Sequence, residues 1–146
     1  MKRLFAIATL LIGLVAPCGT FGAEPHNDIT TDDAIAIRTV VQSQLEALAE
    51  DDATSAFELT TPTKRMQIGT ADNFLRMIKE EYTPIYRPRL ALFSSPQVID
   101  GNAIQVVRIT GDDRHVWVAI FWMLQDEDSE WKIDGCQLLE TTSLSI

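Results

Sequence analysis

Residues 82–89, with the sequence YTPIYRPR, have the strongest potential for ligand recognition in this chain. Two prolines hold the residues before them out of helical geometry, so the segment is predicted to be extended and stiff. Tyr82 and Tyr86 would present phenols, and Arg87 and Arg89 would present guanidiniums that can bind a carboxylate or phosphate through paired hydrogen bonds. The alternative is structural: the tyrosines pack the joint between helix and sheet, while the arginines pair with neighbouring acids.

Catalytic chemistry has less support. His115 is the only histidine in the predicted domain, and Asp112 or Asp113 could orient it as a general base. An isomerase- or hydrolase-like pocket enzyme would use His115, Tyr82 or Tyr86. The sequence contains no phosphate-binding glycine loop, zinc-ligand spacing or nucleophile elbow. His115 is therefore interpreted as a solvated residue at a strand end, and no catalytic residue, metal site or cofactor is predicted.

The strand predicted over residues 115–125 is apolar on both faces. Alternate residues of a strand point to opposite sides of the sheet, and here Trp117 and Phe121 lie on one side and Trp122 on the other. Helices can cover only one face, whereas a sheet with one wet side would alternate apolar and polar residues. The second face is thus predicted to meet a partner subunit, the wall of an apolar cavity, or the chain's own loops and tail.

The elements that must position these residues begin with helices. The apolar spacing predicts helices over residues 31–50, 53–60 and 70–82, with Ile37, Val41, Leu45 and Leu48 on one face of the first. The first helix is predicted to start at Thr31 or Asp32, the second to be capped by Asp51 or Asp52, and the third by Thr70. Pro62 is predicted to end the second helix, because proline lacks the amide that a helix interior needs. Residues 63–69 are predicted to form a connector whose Met66 and Ile68 reach into the core.

Strands follow the helices. They are predicted over residues 89–93, 98–99, 103–110, 115–125 and 130–139. Asp100-Gly101 is a strong hairpin signal. In the last strand the apolar residues change parity after Gly135, from Ile133 to Cys136, which predicts a bulge. The fold class is therefore α+β, with N-terminal helices packed on a strongly curved sheet of four to five antiparallel strands.

The N-terminal segment has the layout of a secretory signal. A basic head precedes 14 almost wholly apolar residues, Leu4 to Pro17, and the small residues Gly22 and Ala23 come just before the first acid. The apolar run is too short to cross a bilayer, which takes about 20 residues of helix. The prediction is a cleaved signal peptide and export to a bacterial periplasm. The predicted organisation is a signal peptide over 1–23, a flexible lead-in over 24–30 and one domain over 31–146.

Cys18 gives a second interpretation of the same segment. Val15 to Cys18 partly matches a lipoprotein signal in which the cysteine is lipidated. Pro17 directly before the cysteine disfavours it, because that site normally carries a small, flexible residue. Once a signal over 1–23 is removed, Cys136 is the single remaining cysteine and cannot form an internal disulfide. It is interpreted as a buried small apolar side chain rather than a reactive thiol.

Charge restricts the classes of partner. The chain has 21 acidic and 12 basic residues, for a formal net charge of −9. Nucleic acids and anionic membrane surfaces repel an acidic protein, so neither is expected as a main partner. No stretch of the sequence is long and apolar enough to span a membrane.

Several segments are similar to an uncharacterised bacterial exported family, domain of unknown function four-eight-six-four, over about residues 35–140. They are Gln42 to Leu45, Asp51-Asp52, Ala56-Phe57, Tyr82 to Pro88 and Trp131 to Cys136. Three leading helices, a curved meander and the closing segment at Trp131 also resemble the nuclear transport factor two-like, or cystatin-like, cone folds. The resemblance implies a cone whose concave sheet and helices enclose a pocket, often with the outer sheet face used for dimers. It implies no activity and no catalytic residues.

The sequence thus predicts a non-enzymatic exported module that binds a small apolar or amphipathic ligand, or a protein partner, and that can form a homodimer. The competing hypothesis is the pocket enzyme described above. The candidate ligand-binding residues are Tyr82, Tyr86, Arg87, Arg89, Trp117 and Phe121.

Overall fold

The structure is a computed structural model that describes residues 29–141. The predicted signal peptide, Cys18 and most of the predicted lead-in lie outside the described residues. The helices are α1 (Thr31–Ala49), α2 (Ala53–Glu58), α3 (Pro62–Ile68) and α4 (Ala71–Glu81), followed by a 3₁₀ turn (Thr83–Ile85). The strands are β1 (Leu90–Phe93), β2 (Gln97–Ile99), β3 (Asn102–Thr110), β4 (Val116–Gln125) and β5 (Trp131–Glu140).

The five strands form one antiparallel sheet. Its order is β1-β3-β4-β5, and the short β2 pairs with the other end of β3. The predicted hairpin turn joins β2 to β3, where Asp100 and Gly101 both have positive φ, 51° and 78°. Two such residues in succession give a turn whose twist matches that of the flanking strands. The order of helices followed by an antiparallel sheet confirms the predicted α+β class. The sheet has five strands, and four to five were predicted.

Each α-helix begins at a side-chain cap. A threonine or aspartate oxygen accepts a backbone N–H of the first turn, which satisfies a donor that the helix itself cannot use. The caps are Thr30, Asp52, Thr61 and Thr70. The first cap, Thr30, lies just before the predicted Thr31 or Asp32. Asp52 is one of the two residues predicted to cap the second helix, and Thr70 is as predicted. None of the helices in residues 29–141 is both long and apolar enough to cross a membrane.

The predicted connector over residues 63–69 is wrong, because this stretch forms most of α3. Pro62 lies in the first turn, where its missing amide leaves no helical hydrogen bond unmade. Pro62 therefore starts α3, and it does not end the second helix, which stops at Glu58. Met66 is 84% exposed and does not reach the core, whereas Ile68 is half-buried and packs against it. Gly69 ends the helix with a φ of 98°.

The hydrophobic core lies between the helices and one face of the sheet. The α1 residues predicted to share a face, Ile37, Val41, Leu45 and Leu48, are all buried. They pack into the same cluster as the odd-numbered side chains of β4, Ala119, Phe121 and Met123. Phe121, predicted as a ligand-binding residue, is fully buried, and its ring packs in this core.

The predicted bulge is present in β5. Trp122 of β4 pairs with Gly135, but the next residue, Met123, pairs with Ile133, so Asp134 is the extra residue. The insertion lets Ile133 and Cys136, three positions apart, both pack against the core.

The same part of β5 holds the link between α2 and α3. The Ile133 N–H donates to Leu59 O at 2.9 Å, and the Thr61 N–H donates to Ile133 O at 2.9 Å. The hydroxyl of Thr61 also donates to Asp134 Oδ1 at 2.8 Å. These bonds fix the start of α3 on the bulged strand.

The outer face of the sheet keeps much of its apolar surface exposed. On β4 its side chains are half-buried up to Trp122, and Leu124 is exposed. Residues directly opposite each other in an antiparallel pair point to the same face. The pairing with β3 and β4 therefore shows which exposed side chains of the other strands lie on the outer face. Of the seven exposed large apolar side chains in residues 29–141, five lie on this face: Leu90, Leu92, Ile99, Leu124 and Leu139.

We predict that Phe121→Ala lowers the free energy of unfolding by about 3–5 kcal/mol, because it removes a large side chain from a site that cannot collapse fully. Met66→Ala is the control, with an expected change within about 0.5 kcal/mol since Met66 lies in solvent. Urea denaturation followed by tryptophan fluorescence measures both. Equal effects of the two substitutions would contradict the described core.

Candidate functional site

A cavity of about 280 Å³ lies where α3 and α4 face the bulged part of β5. Its apolar wall comes from α4, the 3₁₀ turn and β5. The buried members of this wall are Phe74, Ile78, Ile85 and Ile133. Met77 and Tyr82 extend the same wall with half-buried side chains. Most of the lining is therefore suited to an apolar molecule.

Polar side chains from other elements complete the lining. They are Gln44 of α1, Thr60 before α3, Lys64 and Gln67 of α3, and Asp134 of β5. Gln44 is 2% exposed, and its Nε2 donates to Ala56 O at 3.1 Å, which joins α1 to α2. A few fixed polar groups beside a large apolar wall are typical of small-molecule sites.

Tyr82 and Cys136 also line the cavity. Burial raises the pKa of the Tyr82 hydroxyl, and the neighbouring Cys136 and Glu81 raise it further. Burial also raises the pKa of the Cys136 thiol to about 12. Both groups are therefore protonated at neutral pH, and a thiol in this state is a poor nucleophile. Cys136 supplies apolar lining, in agreement with its interpretation from the sequence.

Tyr86 and Arg87 belong to a different cluster, built around Asp51 at the end of α1. Tyr86 Oη donates to Asp51 Oδ1 at 2.6 Å, and Arg87 Nη2 donates to Asp51 Oδ2 at 3.0 Å. Lys79 Nζ lies 3.2 Å from Asp51 Oδ1. Arg87 Nε donates to Ala49 O at 2.9 Å, one of the carbonyls that the end of α1 leaves without a helical partner. This Asp51 cluster ties the chain after α4 to the end of α1.

Two cationic side chains lie over the ring of Tyr86. Arg87 Cζ lies 4.9 Å and Lys79 Nζ lies 5.1 Å from its centroid, within the range of cation–π attraction. Asp51 and Arg87 have positive φ, 57° and 54°, a conformation that costs energy in residues other than glycine. The shared hydrogen bonds hold both residues there. These contacts agree with the alternative in which Tyr86 and Arg87 support the fold, the arginine by pairing with a neighbouring acid.

The remaining predicted residues lie elsewhere. Trp117 and Tyr86 line a separate, open groove. Arg89 has an exposed side chain, and its backbone N–H donates to Thr110 O at 2.9 Å as β1 begins. His115 is exposed beside Asp113, with Nδ1 3.0 Å from Asp113 Oδ2.

The structure therefore does not bring His115, Tyr82 and Tyr86 together. Tyr82 lines the cavity, Tyr86 holds Asp51 and borders the open groove, and His115 lies on the exposed β3–β4 turn. The pocket-enzyme hypothesis required these three side chains to converge on one cavity. Within residues 29–141, no group of three or more His, Cys, Asp or Glu residues has the geometry to hold a metal ion.

Comparison with protein families places the chain. The family model described as Domain of unknown function (DUF4864) matches residues 30–146, which include every helix and strand described above. The chain belongs to the DUF4864 family. This confirms the resemblance to that family, and the cone curvature of its sheet stays a prediction. No curated protein and no solved structure matches the DUF4864 chain.

Of the residues that line the cavity of this DUF4864 domain, only Tyr82 was predicted as a site residue, and Gln44 and Lys64 are two that sequence reasoning missed. Gln44 carried a signal, because it lies three residues after Val41 and four before Leu48, within the buried stripe of α1. A polar residue inside an apolar stripe must find a buried partner, and here it finds Ala56 O. Lys64 carried no signal, since the helix that directs it to the cavity was taken for a connector.

We predict that Asp51→Asn lowers the melting temperature by a few degrees at pH 7. Hydrogen bonds from Tyr86 and Lys79, and the charges of Lys79 and Arg87, hold the pKa of Asp51 below its ordinary value of 3.8. A carboxyl with a lowered pKa in the folded state stabilises the fold above its unfolded pKa, and this contribution is lost as the pH falls through the folded value.

The difference between wild type and Asp51→Asn should therefore be full above about pH 5 and should shrink below pH 3.8. Thermal melts from pH 2 to pH 7 measure it. Glu127→Gln, in the exposed β4–β5 turn, is the control and should leave the melting temperature unchanged across this range. A difference that does not depend on pH would show that Asp51 acts without its charge.

Proposed function

We propose that this protein binds a small apolar or amphipathic molecule in the cavity between α3, α4 and β5, and that it does so without catalysing a reaction. The observation that carries the proposal is the cavity itself: about 280 Å³, with an apolar wall and a few polar groups. Sites of this composition are the usual places where proteins bind small molecules.

The size of the cavity limits the ligand. Its volume of about 280 Å³ lies just below the roughly 300–1,000 Å³ of typical ligand pockets. One compact molecule fits it better than a long lipid chain. The apolar wall favours a hydrocarbon or aromatic body, because burying such a body releases water from apolar surface.

Two titratable groups in the cavity, Tyr82 and Cys136, are poorly suited to acid–base catalysis. General acid–base chemistry works best with a pKa near the working pH. The pKa values of Tyr82 and Cys136 are raised by burial, away from neutrality. Neither group is therefore adapted to exchange a proton or to attack a substrate at neutral pH.

We predict that compact fragments of about ten non-hydrogen atoms shift the backbone amide resonances of Ile133 and Gly135 in two-dimensional NMR spectra. Cys136→Leu should abolish these shifts, because the larger side chain occupies the cavity. Val118→Leu, which adds a methylene on the outer sheet face, is the control and should keep them. Shifts centred on other residues, or undiminished binding by Cys136→Leu, would refute the cavity as the site.

A second function, pairing with another copy of this chain, is supported by the outer face of the sheet. Five of the seven exposed large apolar side chains in residues 29–141 lie there, around half-buried residues such as Trp122. Large contiguous apolar patches are rare on monomers and mark interaction sites. A symmetric dimer would bury the same patch of both copies.

We also propose that the mature protein is exported and begins at Glu24. The support is the order of the first 23 residues: a basic head, a short apolar run and small residues at its end. In an exported location the acidic surface favours solubility, because molecules that carry the same net charge repel one another.

Native mass spectrometry of the exported protein tests both statements. We predict a complex of two chains, each starting at Glu24, at tens of micromolar protein, a range that covers ordinary non-obligate affinities. Leu139→Asp should give monomers, because it places a charge in the apolar interface. Met66→Asp, on exposed α3, should remain dimeric. A wild-type monomer would exclude the dimer, and a mass that includes residues 1–23 would exclude cleavage.

A further inference from the structure

Lys64 differs from the other two lysines in residues 29–141. Lys79 Nζ lies 3.2 Å from Asp51 Oδ1, and Lys132 Nζ lies 3.5 Å from Glu130 Oε2. No carboxylate oxygen of the described residues lies within ion-pair distance of Lys64 Nζ. Lys64 instead lines the cavity, with a half-buried side chain.

The acidic residue in the same lining is already engaged. Asp134 Oδ1 accepts a hydrogen bond from the Thr61 hydroxyl at 2.8 Å, and Thr61 in turn caps α3 through the Lys64 N–H. Asp134 therefore has a structural task at the start of α3. Within the described residues, Lys64 has no ion pair that would give its charge a structural role.

The position of Lys64 makes its charge effective. Its helix, α3, lines the same cavity as Phe74, Met77 and Ile78 of α4. A charge pair that is partly removed from water is stronger than one at an open surface. The chain's overall negative charge opposes anions at long range, but salt at 0.15 M screens charges beyond about 8 Å.

We infer that the ligand of this cavity is a small organic anion, with an apolar body against α4 and a carboxylate at Lys64 Nζ. This inference rests on the proposed function, since it assigns the ligand class of the same cavity. The carboxylate supplies the hydrogen-bond acceptor that the ammonium group of Lys64 needs. The apolar body gains free energy by leaving water.

Three probes of similar length test the inference: hexanoate, hexanamide and hexylammonium. Their affinities are measured at pH 7 by NMR titration of the intact protein. We expect hexanoate to bind about tenfold more tightly than hexanamide, the effect of one hydrogen bond to a charged group. Lys64→Met should weaken hexanoate binding by about the same factor and leave hexanamide unchanged. Lys132→Met is the matched control and should change neither affinity.

The outcomes separate the two levels of the proposal. Equal affinities for hexanoate and hexanamide, unchanged in Lys64→Met, would overturn the anion and leave the cavity as a binding site. Tightest binding of hexylammonium would also overturn it and assign recognition to Asp134. Absence of binding by all three probes, and by the compact fragments above, would overturn the proposed function itself.

Discussion

The backbone of Ile133 connects the helices to the sheet, and the placement of α3 beside β5 depends on it. Its side chain is buried in the core opposite Met123, and its N–H and C=O bond to Leu59 and Thr61 on the other side. Because β5 is an edge strand, these groups would otherwise need water or another partner. The α2–α3 link supplies the partner, and it thereby sets α3 beside the bulge. The cavity exists because the helix is fixed there.

Two other polar joints hold the helical layer in place. The Asp51 cluster connects the end of α1 to the segment after α4, and the indole N–H of Trp131 donates to Asp33 Oδ1 at 3.0 Å near the start of α1. Residues 82–89, the segment that most resembles a ligand site, thus have two different roles. Tyr86 and Arg87 maintain the fold, whereas Tyr82 faces the cavity.

The features predicted well were those that neighbouring residues decide. The buried stripe of α1, the cap at Thr70 and the parity change at Gly135 each follow from spacing along the chain, and the structure confirms all three. The start of α3 was missed, because a proline that is excluded from a helix interior also fits the first turn of a helix. The partner of Arg87 could not be chosen either: Asp51 is one of 21 acidic residues and lies 36 positions away.

The α+β class, the family and a β4 strand that is apolar on both faces could be read from the residues alone, because side-chain alternation and helix spacing are local properties. Long-range packing, in contrast, decided that helices cover the face of Phe121 while the face of Trp122 stays partly open. It also decided that Gln44, Lys64 and Cys136 share one cavity. A cavity is enclosed by elements far apart in the chain, and the packing that brings them together depends on long-range contacts that no local pattern encodes.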